Sequence, residues 1–304
     1  MTFSGIGATF YGNLTRDLDN NKAAVAASDF VCLHTAADES DLRTADAVRR
    51  LGRERIWLAI PGNYLSRLDL RSGRKAAVAE IERCVGIAVQ MGAEVFEVNG
   101  EGASDGNTDG DWTHASGDRA ESERLECLGL ELIEAAKAKA AGKLLVGWTS
   151  HDGVSFRIPR RLLSLVDLHS PQHYPSQPGY TVKQRDLDRR VAWSRGQWES
   201  LAAKGSVGRD ACPYGSKWSP YFQGWGTEVG ALVWALCEAP TARLWACPGS
   251  WSPEAVEALR LARVLRAACG HGPDAVERWQ ASRGLDADGV VGRMTLADLA
   301  KAAR

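Results

Sequence analysis

The segment 93-AEVFEVNGEG-102 carries the alternation that decides the fold. It begins like a buried β-strand and then places Glu97, Asn99 and Glu101 at alternate positions. Alternate residues of a strand share one face, so these three polar side chains point the same way and the apolar residues between them point the other way. The pattern predicts a strand whose two faces have different surroundings, one polar and one apolar.

Short apolar runs recur along the chain and alternate with amphipathic stretches. In 72–91 and in 118–141 the apolar residues repeat every three or four positions, which indicates helices. Strands that alternate with helices favour a parallel sheet, and eight of them favour a closed (β/α)8 TIM-type barrel over an open sheet. The predicted strands are Gly5–Phe10, Phe30–His34, Arg55–Ile60, Glu94–Asn99, Leu144–Thr149, Leu165–Ser170, Ser206–Cys212 and Arg243–Cys247.

The barrel is predicted to end with a helix over 252–269, which a Ser-Pro pair begins and Gly270 ends. Residues 1–269 are therefore predicted to form the barrel domain. A glycine-rich hinge and a compact tail follow, and residues 270–304 are predicted to form a small α-helical module. No GxGxxG or GxxxxGK[ST] motif follows any predicted strand, which argues against a nucleotide-binding sheet.

Composition and charge narrow the choice of partners. The 304 residues carry a formal net charge of −1, so the charge does not demand nucleic acid or an anionic membrane surface. No apolar run approaches the length of a membrane span, and the N-terminus lacks the features of a signal peptide. Seven scattered cysteines without a CxxC pair are typical of a reduced, cytosolic chain. We expect a soluble monomer, whose eleven tryptophans suit a groove that holds flat rings.

The polar face of segment 93–102 has a defined place in such a barrel. Active sites of (β/α)8 barrels lie at the C-terminal ends of the strands, where Glu101 is expected. Asn99 should lie one step deeper, and Glu97 deepest. Because a buried carboxylate without a partner is costly, an arginine or hydroxyl groups are expected to hold Glu97.

Two motifs carry a resemblance to known glycosidases. The fourth predicted strand reads ExNxE and is similar to the DxDxE strand of family-18 chitinases, although its asparagine resembles instead the Asn-x-Glu pair of endo-β-N-acetylglucosaminidases. The run 170-SPQHYP-175 resembles the QxY of the short chitinase-lysozymes, and Trp245 stands where that family has a floor tryptophan. The resemblance implies that the barrel is a glycosidase, and no cofactor is expected.

The same resemblance implies roles for individual residues. Glu101 would be the general acid, Asn99 would orient the 2-acetamido group that attacks the anomeric carbon, and Tyr174 would touch that group. An alternative is a two-carboxylate muramidase, in which Glu101 works with Asp152 or Asp210. Further substrate-binding residues are predicted at the mouth: Glu97, Gln172, Trp112, Trp148, Trp245, Asp152 and Asp210.

The tail 274-DAVERWQASRGLDADGVVGRMTLADLA-300 carries a second resemblance. It resembles the peptidoglycan-binding module of bacterial and phage cell-wall enzymes, although that module's first helix and earlier DG turn are missing or merged into the last barrel helix. The resemblance implies that Trp279, Gln280 and Asp288 bind the cell wall. The matching positions are Trp279-Gln280, Gly284-Leu285, Asp288-Gly289, Gly292 and Thr295.

Two metal hypotheses also arise from the sequence. The loop 105-DGNTDGD-111 matches the first half of a calcium loop, but its twelfth position is Ser116 rather than a bidentate acid. A metal hydrolase would need an HxH on strand one and an aspartate on strand eight, and neither is present. No metal is therefore expected at the site. The histidines that raise this hypothesis are His34, His151, His169 and His173.

Together these patterns predict a phage-type endolysin that cleaves a β-1,4 bond in the glycan strand of peptidoglycan while the tail holds the wall. Such a protein is made in the host cytoplasm without a signal peptide and reaches the wall through a separate membrane pore. Bacterial peptidoglycan is the expected partner. The alternatives are the two-carboxylate muramidase, a non-catalytic wall-binding protein on a degenerate barrel, and a metal-dependent amidase. The sequence leaves the choice between a GlcNAc and a MurNAc linkage open.

Overall fold

A closed ring of parallel strands forms the centre of the protein. The computed structural model describes residues 3–11, 21–100, 119–150, 160–173, 181–203, 217–224, 226–245 and 251–304. The strands of the ring are β1 (Gly5–Tyr11), β2 (Phe30–His34), β3 (Ile56–Pro61), β4 (Val95–Asn99), β5 (Leu145–Ser150), β6 (Leu168–His173), β7 (Tyr221–Gln223) and β8 (Thr241–Trp245). Each strand pairs with the next along the chain, and β1 pairs with β8. The predicted (β/α)8 barrel is confirmed.

Helices surround the ring. In the described ranges they are α1 (Lys22–Ala27), α2 (Glu39–Arg50), α3 (Gly62–Ser72), α4 (Arg74–Gln90), α5 (Arg119–Ala140), α6 (Arg160–Leu165), α7 (Gln184–Ala203), α8 (Val229–Cys237), α9 (Pro253–Cys269), α10 (Ala275–Ser282) and α11 (Arg293–Ala302). The last barrel helix, α9, has the predicted ends, because the Ser252 hydroxyl accepts from the Ala255 N–H at 3.2 Å and Gly270 ends the helix with φ of 73°. No helix in the described ranges has the length and apolar character to cross a bilayer.

Strand seven is not where the sequence pattern placed it. The prediction was Ser206–Cys212, a stretch outside the described residues, whereas β7 is Tyr221–Gln223. A strand of three residues is too short to show an alternating pattern of its own. Asp210, which was predicted on strand seven, lies outside the described residues.

Strand six begins later than predicted. The apolar run from Leu165 was assigned to the strand, but Leu165 is the last residue of α6 and β6 starts at Leu168. A short apolar run does not by itself distinguish the end of a buried helix from the start of a strand. The shift brings Gln172 and His173 into the strand.

An aromatic cluster closes the end of the barrel at which the strands begin. Phe3, Phe30 and Trp57 are all at most 2% exposed, and their ring centroids lie 4.8 to 5.5 Å apart. Gly7 makes room for this cluster, since a Cβ on it would lie 2.2 Å from the Phe30 ring. This end of the barrel is therefore filled by aromatic and other apolar side chains.

The C-terminal helices pack directly on the barrel. Trp279 and Leu299 belong to the same continuous apolar core as the layer between the strands and the helices. The Gln184 side chain donates to the Gly289 carbonyl at 2.8 Å and accepts from the Val291 N–H at 3.1 Å. Gly230 of α8 lies so close to Val291 that an added Cβ would come within 2.1 Å of the Val291 carbonyl oxygen. The pair of helices α10 and α11 is thus fitted to α7, α8 and α9.

Candidate active site

The segment that decides the fold has the orientation that its alternation predicts. The side chains of Glu97 and Asn99 on β4 face the inside of the barrel, where each bonds to residues of other strands. Phe96 and Val98 pack in the apolar layer between the strands and the helices. Asn99 is the last residue of β4 and lies opposite Thr149 of β5, so it belongs to the mouth of the barrel.

Glu97 lies below the mouth and is held inside the protein. Its carboxylate is 2.5 Å from the Arg243 guanidinium, accepts from the Ser170 hydroxyl at 2.8 Å, and also accepts from the Thr149 hydroxyl. The expected arginine and hydroxyl partners are therefore confirmed. Glu97 is only 1% exposed, and both of its oxygens have partners within the barrel. Its role is to support the site from below, not the predicted contact with substrate.

Arg243 is a central residue that the sequence analysis missed. Its guanidinium lies between the rings of Trp57 and Tyr221, at 4.4 Å from each centroid, and donates to the Cys32 sulfur at 3.2 Å. Burial lowers the pKa of Arg243, but the charges of Glu97, Cys32 and Tyr221 together with the hydrogen bond to Glu97 raise it above its ordinary value, so the side chain is charged. A charged residue in the apolar run TARLW was the signal that could have revealed a buried ion pair.

The mouth holds a pair of polar side chains from β2 and β4. The Asn99 amide nitrogen lies 3.2 Å from Nε2 of His34. The His34 ring is 4.1 Å from the Tyr11 ring, and the Tyr11 ring is 5.2 Å from the Trp245 ring. Burial, and after it the charge of Arg243, lowers the pKa of His34 to about 3. His34 is therefore neutral at ordinary pH, and an aromatic wall lies beside it.

Gln172 is the unusual residue of this mouth. It lies on β6 two residues beyond Ser170, so it shares the inner face of the barrel. It is 0% exposed, yet neither its amide nitrogen nor its amide oxygen has a hydrogen-bond partner among the described residues. Buried polar groups are almost always bonded, and a group without a partner calls for an explanation such as a ligand or a water molecule. Gln172 therefore marks a place where a polar ligand group can bind.

Two of the predicted tryptophans have different surroundings. Trp245 ends β8 on the inner face and contributes to the aromatic wall, in agreement with its predicted place. Trp148 is 1% exposed and packs in the layer outside the strands. Its neighbours Gly147 and Thr149 face inward, so strand alternation turns Trp148 outward. The structure gives Trp148 a packing role, contrary to the predicted contact with substrate.

The other predicted residues of the mouth fall outside the part of the chain that the structure describes. They are Glu101, Trp112, Asp152, Tyr174 and Asp210, together with the possible calcium loop 105–111. Their roles remain predictions.

The histidines of β6 do not join His34. His169 lies 2.9 Å from the Ser150 hydroxyl and His173 lies 3.4 Å from the Ser194 hydroxyl, both in the buried layer outside the strands. Burial lowers the pKa of each to about 3. Within the described ranges, no group of three or more histidine, cysteine, aspartate or glutamate residues could hold a metal ion.

The motif residues of the tail are internal. Trp279 is 1% exposed and Gln280 is 2% exposed. The Gln280 amide donates to Asp288 at 2.9 Å and accepts from the Gly289 N–H at 2.9 Å, so it ties α10 to the following turn. Both side chains lie inside the helical pair, and the Gln280 amide already has its partners there. The matched motif therefore holds the helical pair together, which corrects the predicted binding roles of Trp279 and Gln280.

Comparisons with known proteins identify the fold. No protein-family model and no curated protein matches the chain. Solved structures with a similar fold include a GH18 chitinase from Pseudoalteromonas aurantia, with a TM-score of 0.54, 7% identity, and coverage of 85% of this chain and 100% of that one. A GH5-4 broad specificity endoglucanase from Clostridium acetobutylicum has a TM-score of 0.54 and 12% identity, and the match covers 83% of this chain and 96% of that one. A β-galactosidase from Marinomonas ef1 has a TM-score of 0.51 and 11% identity, and the match covers 94% of this chain and 61% of that one.

At such low identity these similarities show the fold alone. The chain is a (β/α)8 barrel of the kind on which those three glycan-cleaving enzymes are built. What a barrel of this kind does depends on the residues at its mouth.

Proposed function

We propose that the protein is a glycoside hydrolase that cuts a β-1,4 bond in a glycan of 2-acetamido sugars. The observation that carries the proposal is the buried Gln172 amide, whose nitrogen and oxygen lack partners among the described residues. A primary amide donates and accepts at once. A 2-acetamido group offers one N–H and one C=O, so it can satisfy both ends of Gln172. The barrel fold shared with the chitinase and the endoglucanase supports the proposal.

The proposed chemistry needs a proton donor at the end of β4. A glycosidic oxygen leaves poorly as an alkoxide, so a carboxylic acid must protonate it. Glu101 follows the inward-facing Asn99 by two positions, and we assign it this role. Asn99, with Tyr174, would orient the acetamido group whose oxygen attacks the anomeric carbon.

A general acid needs a pKa raised towards the working pH, which a neighbouring charge or desolvation can supply. A nearby unpaired carboxylate at Glu97 would have raised it by repulsion. Glu97 is paired with Arg243 at 2.5 Å, so the two charges largely cancel at the mouth. We therefore propose desolvation at the mouth as the source of the raised pKa that a general acid needs.

We further propose that the glycan is bacterial peptidoglycan and that the protein acts as an endolysin. This part rests on the sequence pattern of the tail. Because Trp279 and Gln280 are buried, any wall contact would come from the outside of the helical pair, where Val290 is 50% and Met294 is 72% exposed. Met294→Glu should then weaken sedimentation with purified peptidoglycan, whereas Leu70→Glu, at a 50% exposed site on the barrel, should not.

The test of the proposed activity uses the full-length protein with Glu101→Gln as its paired variant. Purified peptidoglycan and chitin oligosaccharides are digested, the released reducing sugar is measured, and the fragments are identified by mass spectrometry. General acid catalysis contributes about 10²–10⁴-fold, so the variant should lose at least about 10²-fold in turnover. Circular dichroism serves as the folding control.

Each result has a distinct meaning. A reducing GlcNAc or MurNAc end identifies the linkage that is cut. A well-folded Glu101→Gln variant with normal turnover would place the acid elsewhere, with Asp152 or Asp210 as the next candidates. Cleavage of a peptide bond would indicate an amidase. Binding to the wall without any cleavage would indicate a non-catalytic wall-binding protein.

A further inference from the structure

A groove lies at the end of the barrel opposite to the mouth. It has a volume of about 500 Å³ and is bordered by Ser4 and Gly5 at the start of β1 and by Asp29 just before β2. A volume of this size is typical of small-molecule sites, which measure about 300–1,000 Å³. One wall of the groove is a side of α9, and the charged residues on that wall are Arg260, Arg263 and Arg266.

The three arginines form a row along α9. They are three residues apart, and a helix rises about 1.5 Å per residue, so roughly 9 Å of helix axis separates the first from the last. Like charges about one turn apart on a helix destabilise it slightly. The row is a local feature, because the whole chain carries a formal net charge of −1. An anion that spans the row would reduce the repulsion between its cations.

Carboxylates of the described residues balance only part of this positive charge. Arg260 pairs with Glu257 at 2.7 Å, and Arg263 pairs with Asp29 at 2.8 Å. The guanidinium of Arg266 makes no ion pair in the described ranges and donates instead to main-chain carbonyls at 2.9 and 3.0 Å. The wall of the groove therefore keeps an excess of positive charge.

A further cation meets this row at Arg263. Nη1 of Arg263 donates to the Ala26 carbonyl at 3.1 Å, and the guanidinium of Arg53 donates to the same oxygen. Burial, and after it the charge of Arg263, lowers the pKa of Arg53, so the two cations are close enough to repel each other. The second Nη of Arg263 donates to no described residue. It can therefore donate to a ligand in the groove.

We propose that this groove binds a diphosphate group, with Arg260 and Arg263 as the residues that bond to it. The planar guanidinium matches the oxygens of a phosphate with paired hydrogen bonds. Two linked phosphates carry several negative charges and can reach more than one cation of the row, which a single carboxylate cannot. The groove-lining residues that the structure describes include no aromatic ring on which a nucleobase could stack, so the phosphates themselves are what the groove recognises. This inference is independent of the proposed glycosidase activity.

Calorimetric titration of the full-length protein with inorganic pyrophosphate tests the proposal. We expect one site per chain, with an affinity that falls as salt is added because the arginines are partly exposed. Inorganic phosphate should bind more weakly, and equal binding of phosphate would overturn the assignment of two linked phosphates. ADP that binds as tightly as pyrophosphate would support a site for a diphosphate within a larger molecule. Binding of pyrophosphate without ADP would support a site for the free anion.

Substitutions locate the site. Arg260→Gln should weaken pyrophosphate binding by about tenfold, the effect of losing one charged hydrogen bond, and Arg263→Gln should do the same. The matched control is Arg83→Gln on α4, because Arg83 also makes two bonds to a glutamate three residues before it and one to a main-chain carbonyl.

The control variant should bind pyrophosphate like the wild type, and circular dichroism checks that all three variants are folded. Absence of binding by the wild type at millimolar pyrophosphate would overturn the proposal. Normal binding in both Arg260→Gln and Arg263→Gln would overturn it too. An equal loss in Arg83→Gln would do the same, since the anion would then respond to the overall charge of the protein and not to this groove.

Discussion

The barrel mouth and the C-terminal helical pair each contain a buried glutamine whose hydrogen bonding differs, Gln172 in the mouth and Gln280 in the helical pair. In the helical pair, the Gln280 amide donates to Asp288 and to the Val290 carbonyl and accepts from the Gly289 N–H. In the mouth, the equally buried Gln172 has no partner for either polar atom among the described residues. The same side chain thus completes the fold in one region and is left unsatisfied in the other.

The difference indicates what the buried polar groups do in each of the two regions. A saturated buried amide stabilises the folded chain, while an unsaturated one lowers stability until something binds to it. Below this group, Glu97 and Arg243 are bonded to each other, and Glu97 is also bonded to the Ser170 hydroxyl of a neighbouring strand. The polar pattern of the tail serves folding, and that of the mouth is available to a ligand.

The largest loss of stability is expected at the buried ion pair of the barrel. Arg243→Met leaves Glu97 buried without its partner, and breaking a buried pair costs on the order of 3–5 kcal/mol in the free energy of unfolding. The double variant Glu97→Leu with Arg243→Met removes both charges and should recover most of that loss. Denaturant unfolding of the single and double variants measures both values. A double variant no more stable than the single one would show that the hydroxyl partners matter more than the pair.

The next largest loss of stability is expected at Gln280, whose side-chain amide is bonded at both ends. Gln280→Leu removes the side-chain partner of the half-buried Gly289 N–H and of the buried Thr295 hydroxyl, which should lower the free energy of unfolding by about 2–3 kcal/mol. Catalytic turnover per folded molecule should not change. Lys301→Ala, at an exposed position of the same helical pair, is the control and should have no measurable effect on stability. A stable Gln280→Leu variant would remove the contrast between the two glutamines.

Acid should weaken the barrel through three imidazoles whose pKa is lowered in the folded protein. His34, His169 and His173 each have a folded pKa of about 3, below the ordinary value of 6.5. Between these values the unfolded chain binds protons that the folded one does not, so stability is lost as the pH falls from about 6.5 towards 3. The expected slope is on the order of 1 kcal/mol per pH unit for each histidine. Unfolding midpoints at several pH values measure the slope, and His169→Gln should reduce it.

The smallest effect on stability is expected at the unsatisfied glutamine. Gln172→Leu removes an unpartnered amide, so the free energy of unfolding should change by less than about 1 kcal/mol, or increase. Activity should nevertheless fall, by roughly tenfold to 10²-fold in kcat/KM, because a hydrogen bond to the ligand is lost. Gln280→Leu should lower stability and leave activity unchanged, whereas Gln172→Leu should lower activity and leave stability nearly unchanged. The two variants together therefore test the comparison directly. Lost stability with normal activity would show that Gln172 has a structural partner.

Alternation and helical periodicity predicted most of the barrel, because both patterns report which side of an element is buried. They placed seven of the strands close to their observed positions and fixed the inward direction of Glu97 and Asn99. They failed at β7, whose three residues are too few to show the alternation of a strand. They also failed at the start of β6, where a helix end and a strand are both apolar.

The site was only partly predictable, because pairing across a barrel joins residues far apart in sequence. The need for a cation near Glu97 followed from burial, but the sequence did not indicate that Arg243 on the last strand supplies it. The direction of Trp148 could have been derived from its position next to the inward-facing Thr149. For Gln280 the motif was recognised, but a short motif does not reveal whether its residues are buried.

One contact at the seam between the barrel and the tail has a consequence for how the two can diverge. Gly230 touches the Val291 carbonyl so closely that even a methyl group would collide with it. The close packing of the barrel against the tail therefore depends on a glycine at position 230. Any larger residue there would require the two parts to pack in a different way. Residues on the exposed faces of the helical pair can be substituted one at a time. A substitution at its contact with the barrel requires compensating changes on both sides of the contact.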